Sequence, residues 1–416
     1  MRIAVTGCGA ATPFGMGAAG FWSKLIAGES AVRLTEPESY RKWTRVAASV
    51  PAFDPTDYLP RKLAADTDKY THLALIAAAE AFADAGFRPH EPNPFGNLDP
   101  DRIGVALGTS FGGVQTLEAG CRLLAGSDSA RISPRLVPKS IVNAAAGAIA
   151  IRWGIQGTVM SYSTACASSA NSIGEACYWL KRGEADVVLA GGSESLFTPS
   201  LLAGLNAAGA LAKSGPDDFS RWSRPFDRDR AGMVMGEGAA FLVLEPLDRA
   251  VSRGARVYAE FKGYGTSNDA YHETAPHPEG RGAALAMQRA LRNTGVQPTD
   301  IGYINAHATS TPAGDAAEGA ALHQVFGDAL AKIPVSSIKG AVGHLLGAAG
   351  ALESLATIMA LDSGILPATL NCDHPDTSAP PDVIPHQARH HKVSLALSNS
   401  FGFGGQNASL VWARYR

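Results

Sequence analysis

The chain predicts an α/β fold built of two similar halves. Three observations lead there. Apolar runs of strand length alternate with longer runs of helical spacing along most of the sequence. The order of these runs restarts near residue 256, dividing the chain into 1–255 and 256–416. Glycines, 45 in all, gather at tight junctions between elements and not in low-complexity runs.

Taken in order, residues 2–6 read as a buried strand followed by the glycines of "GCGAATPFG". That stretch lacks the full GxGxxG spacing of a dinucleotide loop, which argues against nucleotide binding. "GFWSKLIAGES" and "THLALIAAAEAFADAGF" read as helices, "RIGVALGTS" as a strand ending in a glycine loop, and "SIVNAAAGAIAIRWG" as a packed, alanine-rich helix. Residues 158–162 form a short strand. Ala170, Ile173, Ala176, Cys177 and Leu180 then recur at helical spacing. Cys166 therefore stands at a strand-to-helix junction, where a thiol is expected to be exposed and its thiolate favoured by the helix N-terminus. Cys177 shares the apolar face and reads as core. "ADVVLAGGSES" is a strand opening into glycines, and "GAAFLVLEPLDRAVSRG" a strand followed by a helix. The polar stretch 209–232 between them reads as a functional loop.

The second half repeats the order. "ARVYAEFKGYGTS", "IGYINAHATS" and "IPVSSIKG" are strands. "GRGAALAMQRALRNTG", "PAGDAAEGAALHQVFG" and "LLGAAGALESLATIMALDSG" are helices, and "KVSLALSNSFGFGGQNASLVWAR" reads as two strands around a glycine turn.

Composition excludes several classes. Lys plus Arg number 36 against 38 Asp plus Glu, for a net charge of −2, so nothing points to nucleic acid or a membrane surface. No apolar run reaches the length of a membrane span, and the start of the chain does not read as a signal peptide. The five cysteines form no CxxC pair, which argues against a disulfide framework or a metal site. The expectation is a cytoplasmic protein.

Reactive groups cluster at predicted strand ends beside small residues: Cys166, His307 in "NAHATSTPAGD", Lys339 and His344 in "SSIKGAVGHLLGAAG", and the backbone of "SNSFGFGGQN". A thiol, two imidazoles, an ammonium and a glycine hairpin suit acyl transfer. The thiol accepts an acyl group as a thioester, and the donors stabilise a developing oxyanion or enolate.

On these stretches, and on "VTGCG" and "RPFDRDRAGMVMGEGAAFLVLE", the sequence resembles the β-ketoacyl-acyl carrier protein synthases of the synthase II type, nearly end to end. The resemblance implies a thiolase-like fold, with two α/β halves forming a five-layered α-β-α-β-α core, in a homodimer. It implies that Cys166 is the nucleophile, that His307 and His344 promote malonyl decarboxylation, and that Lys339 supports them. It implies an oxyanion hole from the backbone of Cys166 and Phe403, with Phe403 also the gate. Thr309 and Thr311 would bind the phosphopantetheine arm, Asp315 and Glu353 would support the site, and Arg61 and Lys62 would meet the acyl carrier protein. No metal or redox cofactor is implied, because decarboxylation drives the condensation.

Four departures from the family pattern stand out. Ala308 replaces a glycine and Gln406 a small residue. Phe111 stands where an aliphatic residue usually lines the acyl pocket; either it shortens the pocket, favouring short primers, or it turns aside into the core. Ala65 and Asp66 stand where further basic residues would meet the carrier, unless Lys69 or Lys213 compensates. The leading expectation is decarboxylative condensation of an acyl thioester with malonyl-acyl carrier protein in fatty acid elongation; the alternative, to which the last two departures point, is a specialised polyketide or lipid pathway with a dedicated carrier. A non-catalytic partner subunit is the remaining alternative, against which the intact Cys166, His307, Lys339 and His344 argue. "RISPRLVP" is expected near the dimer interface by resemblance.

Overall fold

The structure, a computed structural model, describes residues 1–127, 129–292 and 294–415. Among the described residues, the path of the main sheet takes five strands from the first half: β1 (Ile3–Thr12), β2 (Ile103–Gly108), β3 (Val159–Tyr162), β4 (Val187–Glu194) and β5 (Gly238–Pro246). Five come from the second: β6 (Ala259–Asn268), β7 (Tyr303–Asn305), β8 (Val335–Ser336), β9 (Leu395–Gly402) and β10 (Gln406–Arg414). The main helices are α1 (Lys69–Asp84), α2 (Ala144–Trp153), α3 (Ser168–Lys181), α4 (Arg281–Arg292), α5 (Pro312–Phe326) and α6 (Ala349–Ser363).

The halves share one topology. The first runs β3-β2-β4-β5-β1 across its sheet and the second β8-β7-β9-β10-β6. In each, the first three strands of that order are parallel and the last two antiparallel. The sheets touch through β1 and β6, which pair only at Ile3–Val5 and Ala259–Phe261. The duplication is thus a repeat of topology, even though the two sequences show no residue-level repeat.

Five layers follow. Helices α1 and α2 cover the outer face of the first sheet, and α4 that of the second, with α5 packed on α4. Between the sheets lie α3 and α6, which touch each other and strands of both halves. Each gap is filled by its own apolar cluster: Leu73 and Phe82 in the first, Ile173 and Leu355 in the centre, Met287 and Leu322 in the third. Each such Leu, Ile or Phe contributes about 1.5–3 kcal/mol by leaving water.

Helices α3 and α6 are buried nearly all round, which explains their lack of a clear polar face. A methyl built on Gly350 would stand 2.8 Å from both the Ala170 nitrogen and Ser400 Oγ, so the helices meet where the residues are smallest.

Two sequence expectations change. The first strand runs on to Thr12 through the glycines, so "GCGAATPFG" is no phosphate loop. Methyls at Gly7 or Gly9 would collide with the carbonyls of Ala81 and Ala77 on α1, so those glycines permit close helix packing. The stretch 209–232 contains only a single helical turn, Phe219–Arg221, yet it is tied down. Trp222 is buried, Arg221 pairs with Asp373, and Arg230 Nη1 lies 2.6 Å from Asp376. Among the described residues no helix is long and apolar enough to cross a membrane.

Gly350→Ala is expected to lower stability by about 1–3 kcal/mol, because neither backbone nor hydroxyl neighbour can yield freely. The urea midpoint of unfolding measures it.

Candidate active site

The shared topology sets the site. Helices α3 and α6 each follow the third strand of their half, so their N-termini occupy equivalent places. Cys166 precedes α3, and His344 precedes the turn Leu346–Ala348 that leads into α6. His307 follows β7, Lys339 follows β8, and Phe403 follows β9. All the sequence-predicted catalytic groups therefore meet at one end of the two sheets.

The donor atoms of Cys166, His307 and His344 all lie within 4.8 Å of one another. They line one cleft together with Thr309, Thr311 and Phe403. Asp269, Thr274 and His277 also line it, from a loop that carries no sequence signal of such a place. This loop is clamped to the glycine turn. The Gly404 N–H donates to the Glu273 carbonyl at 2.8 Å and the Asp269 N–H to the Gly405 carbonyl at 2.9 Å. Gly404 and Gly405 have φ of 76° and 71°, which a side chain would strain.

Cys166 corrects an expectation. It is only 7% exposed, and burial pushes its thiol up to about 12. The Lys339 ammonium and a hydrogen bond from the Phe403 N–H pull the other way without prevailing. The resting group is a thiol. Ala165, just before it, holds φ at 49°, a strained turn that aims Cys166 into the cleft.

Both imidazoles are neutral. Burial and Lys339 hold His307 and His344 well below the ordinary histidine range. Their tautomers follow from Nδ1. The Leu346 N–H donates to His344 Nδ1 at 3.3 Å, and the Lys339 ammonium, which can only donate, faces His307 Nδ1 at 3.4 Å. Each ring therefore carries its proton on Nε2. His344 Nε2 is buried and has no hydrogen-bond partner among the described residues, a donor waiting for an acceptor.

Lys339 donates to the His307 carbonyl at 2.5 Å and pairs with Glu353, both ends fully buried. Glu318, not singled out in the sequence, accepts from the N–H groups of His307 and Ala308 at 2.9 and 2.7 Å and fixes that turn. Only folding brings it there, one α5 turn beyond Asp315. Asp315 accepts from the Phe226 and Ser310 N–H groups at 2.8 and 3.1 Å, so it braces the loop around the site. Burial raises its carboxyl to about 7. Thr311 caps α5 and its Oγ1 lies 3.0 Å from that of Thr309. A fixed ammonium beside neutral N–H donors suits a developing anion and disfavours a second cation, so the Cys-His-His cluster is a poor metal site.

The remaining residues fall as follows. Ala308 avoids the left-handed region, so its methyl is accommodated. Gln406 joins the strand pairing opposite Gly402. Phe111 is 51% exposed and lies outside the cleft, so within one chain it neither shortens that cleft nor packs in the core. Arg61 and Lys62 are exposed on a short helix, Arg61–Asp66. Lys69 is drawn aside to the buried Glu237 at 2.6 Å and does not compensate for Ala65 and Asp66. Arg135, Lys139 and Arg152, distant in sequence, line the same surface groove as Lys62.

Comparison with known proteins agrees with this geometry. Residues 1–250 match the beta-ketoacyl synthase N-terminal domain and 258–373 its C-terminal domain. The chain belongs to the β-ketoacyl synthase family. It is an acyl-transferring condensing enzyme with a thiolase-like fold. It is 42% identical to 3-oxoacyl-[acyl-carrier-protein] synthase 2 of Rhizobium meliloti, covering all of this chain and 99% of that one. A β-ketoacyl synthase from Burkholderia phymatum superposes with a TM-score of 0.91 at 36% identity, covering 100% of both chains. A type II polyketide ketosynthase, solved in complex with its acyl-carrier protein, superposes with a TM-score of 0.89 at 31% identity, covering 100% of this chain and 99% of that one.

Alkylation of Cys166 by iodoacetamide is expected to accelerate about tenfold per pH unit from 6 to 9 without a plateau, since the thiolate fraction rises throughout that range. A plateau near neutrality would mean that the helix N-terminus outweighs burial.

Proposed function

We propose that this synthase extends acyl chains by two carbons in fatty acid elongation, with both substrates borne on the phosphopantetheine arm of an acyl carrier protein. The convergence of one thiol sulfur and a ring nitrogen from each of two neutral imidazoles within 4.8 Å carries the reading.

Cys166 sulfur attacks the carrier-bound thioester. The oxyanion accepts from the backbone N–H groups of Cys166 and Phe403. The carrier thiolate leaves with the thiol proton, and the acyl group remains on Cys166. Malonyl-carrier then takes its place, with its arm along Thr309 and Thr311. His307 and His344 donate from Nε2 to the thioester oxygen as carbon dioxide departs, holding the enolate. The enolate carbon attacks the acyl-Cys166 carbonyl, the C–S bond breaks, and the returning thiolate regains a proton. Every electron pair comes from the Cys166 sulfur, the malonyl carboxylate or a breaking thioester bond, so no metal or redox cofactor is required.

The carrier's acidic surface meets Arg61 and Lys62, with Lys139 and Arg152 in the groove beside Lys62 adding positive charge, while Arg135 is paired with Asp66 at 3.5 Å. Phe111 lies outside the cleft of its own chain, so within one chain it does not favour short primers. The protein works in the cytoplasm as a homodimer. Leu117, Leu123 and Leu124 on the helix Val114–Gly126, with Phe111, Val137 and Met160, leave a broad apolar face for a second copy.

Intact-protein mass after incubation with acyl-carrier donors is expected to rise by one acyl group in the wild type and not in Cys166→Ala. Malonyl-carrier decarboxylation is expected to fall about 100-fold or more in His344→Ala. Equal acylation of Cys166→Ala would overturn the reading. Leu123→Asp/Leu124→Asp is expected to yield monomers by light scattering; an unchanged mass would place the interface elsewhere.

A further inference from the structure

The mechanism leaves one buried carboxylate at the site unused. Glu194 ends β4 and is fully buried. Its oxygens accept from Thr109 Oγ1 at 2.9 Å, from the Ser110 N–H at 2.6 Å and from the Gly347 N–H at 3.1 Å. No lysine or arginine pairs with it among the described residues. Burial raises its carboxyl, while these donors favour the carboxylate.

Those donors belong to two different parts of the catalytic machinery. Ser110 bonds the strained elbow of the nucleophile: its Oγ donates to the Ala165 carbonyl at 3.3 Å, and its carbonyl accepts from Ser163 Oγ at 3.1 Å. Gly347 belongs to the turn that follows His344. Its neighbour Leu346 holds a positive φ of 52° and donates the N–H that fixes His344 Nδ1. The packing is tight on both sides: a methyl on Gly347 would stand 2.6 Å from the Ser110 nitrogen and collide with the Glu194 carboxylate.

We infer that Glu194 is a positioning residue that anchors the His344 turn against the Ser110 backbone and thereby holds His344 in its Nε2–H tautomer. This inference rests on the proposed role of His344. Without Glu194, the Gly347 N–H loses its acceptor and the strained Leu346 relaxes. His344 Nδ1 is then free to take the proton, and Nε2 can no longer donate to the enolate oxygen.

The test compares full-length wild type, Glu194→Gln and Glu194→Ala. Glutamine keeps one oxygen for both backbone N–H groups and can turn its NH2 toward Thr109 Oγ1, so it is the rescuing variant. In Glu194→Ala, malonyl-carrier decarboxylation is expected to lose about 100-fold in kcat, with KM and Cys166 alkylation changed less than about threefold. Glu194→Gln is expected to recover to within about fivefold of the wild type. Nitrogen NMR of the His344 ring, assigned against His344→Ala, reads the tautomer without turnover and is expected to shift toward Nδ1–H only in Glu194→Ala. If Glu194→Ala does not fold, Glu194→Asp, too short to reach both loops, takes its place. An unchanged His344 tautomer, or parallel loss of alkylation and decarboxylation, would overturn the inference. Failure of the wild type to decarboxylate would instead overturn the proposed function.

Discussion

The close approach of two buried helices governs this molecule. Helices α3 and α6 lie between two sheets and against each other, so both need small residues where they meet. Ser169 Oγ of one accepts the Ala351 N–H of the other at 2.9 Å, binding the helix starts together. Because each helix follows the same strand of its half, its N-terminus opens at the same end of the core. One start presents a nucleophile and the other an imidazole. The duplicated topology has thus been used for two different chemical tasks on a shared axis.

Electrostatics at that junction follow from a single buried cation. Lys339 meets the His307 carbonyl, faces His307 Nδ1 and pairs with Glu353. Removing one partner of such a pair costs about 3–5 kcal/mol, since the other is left charged in the interior. The same ammonium keeps both imidazoles neutral and lowers the cost of ionising Cys166. It prepares the cleft for anions that exist only during reaction. The thiol itself stays protonated at rest, so its charge forms only as substrate supplies an electrophile and a place for the proton.

Carboxylates supply the rigidity. Glu318 grips the turn of His307, Asp315 the neighbouring loop, and Glu194 the turns beside Cys166 and His344. Each accepts backbone N–H groups in the interior, where such bonds are strong and their loss expensive. The glycine turn around Phe403 is held differently, by backbone bonds to a loop at the cleft mouth.

The sequence by itself determined the element order and the two halves, and it singled out Cys166, His307, Lys339 and His344 as the candidate catalytic set. Periodicity is local, and reactive residues beside small ones at strand ends can be read along the chain. Tertiary structure alone decided the rest. Burial turned the expected exposed thiolate of Cys166 into a thiol, since desolvation depends on neighbours from both halves. It brought Glu318 and Glu194 to backbone amides far along the chain. It gathered Arg135, Lys139 and Arg152 beside Lys62, drew Lys69 inward, and put Phe111 on the surface. Those outcomes depend on distance through space, and a linear pattern carries no information about which distant residues will share a dielectric.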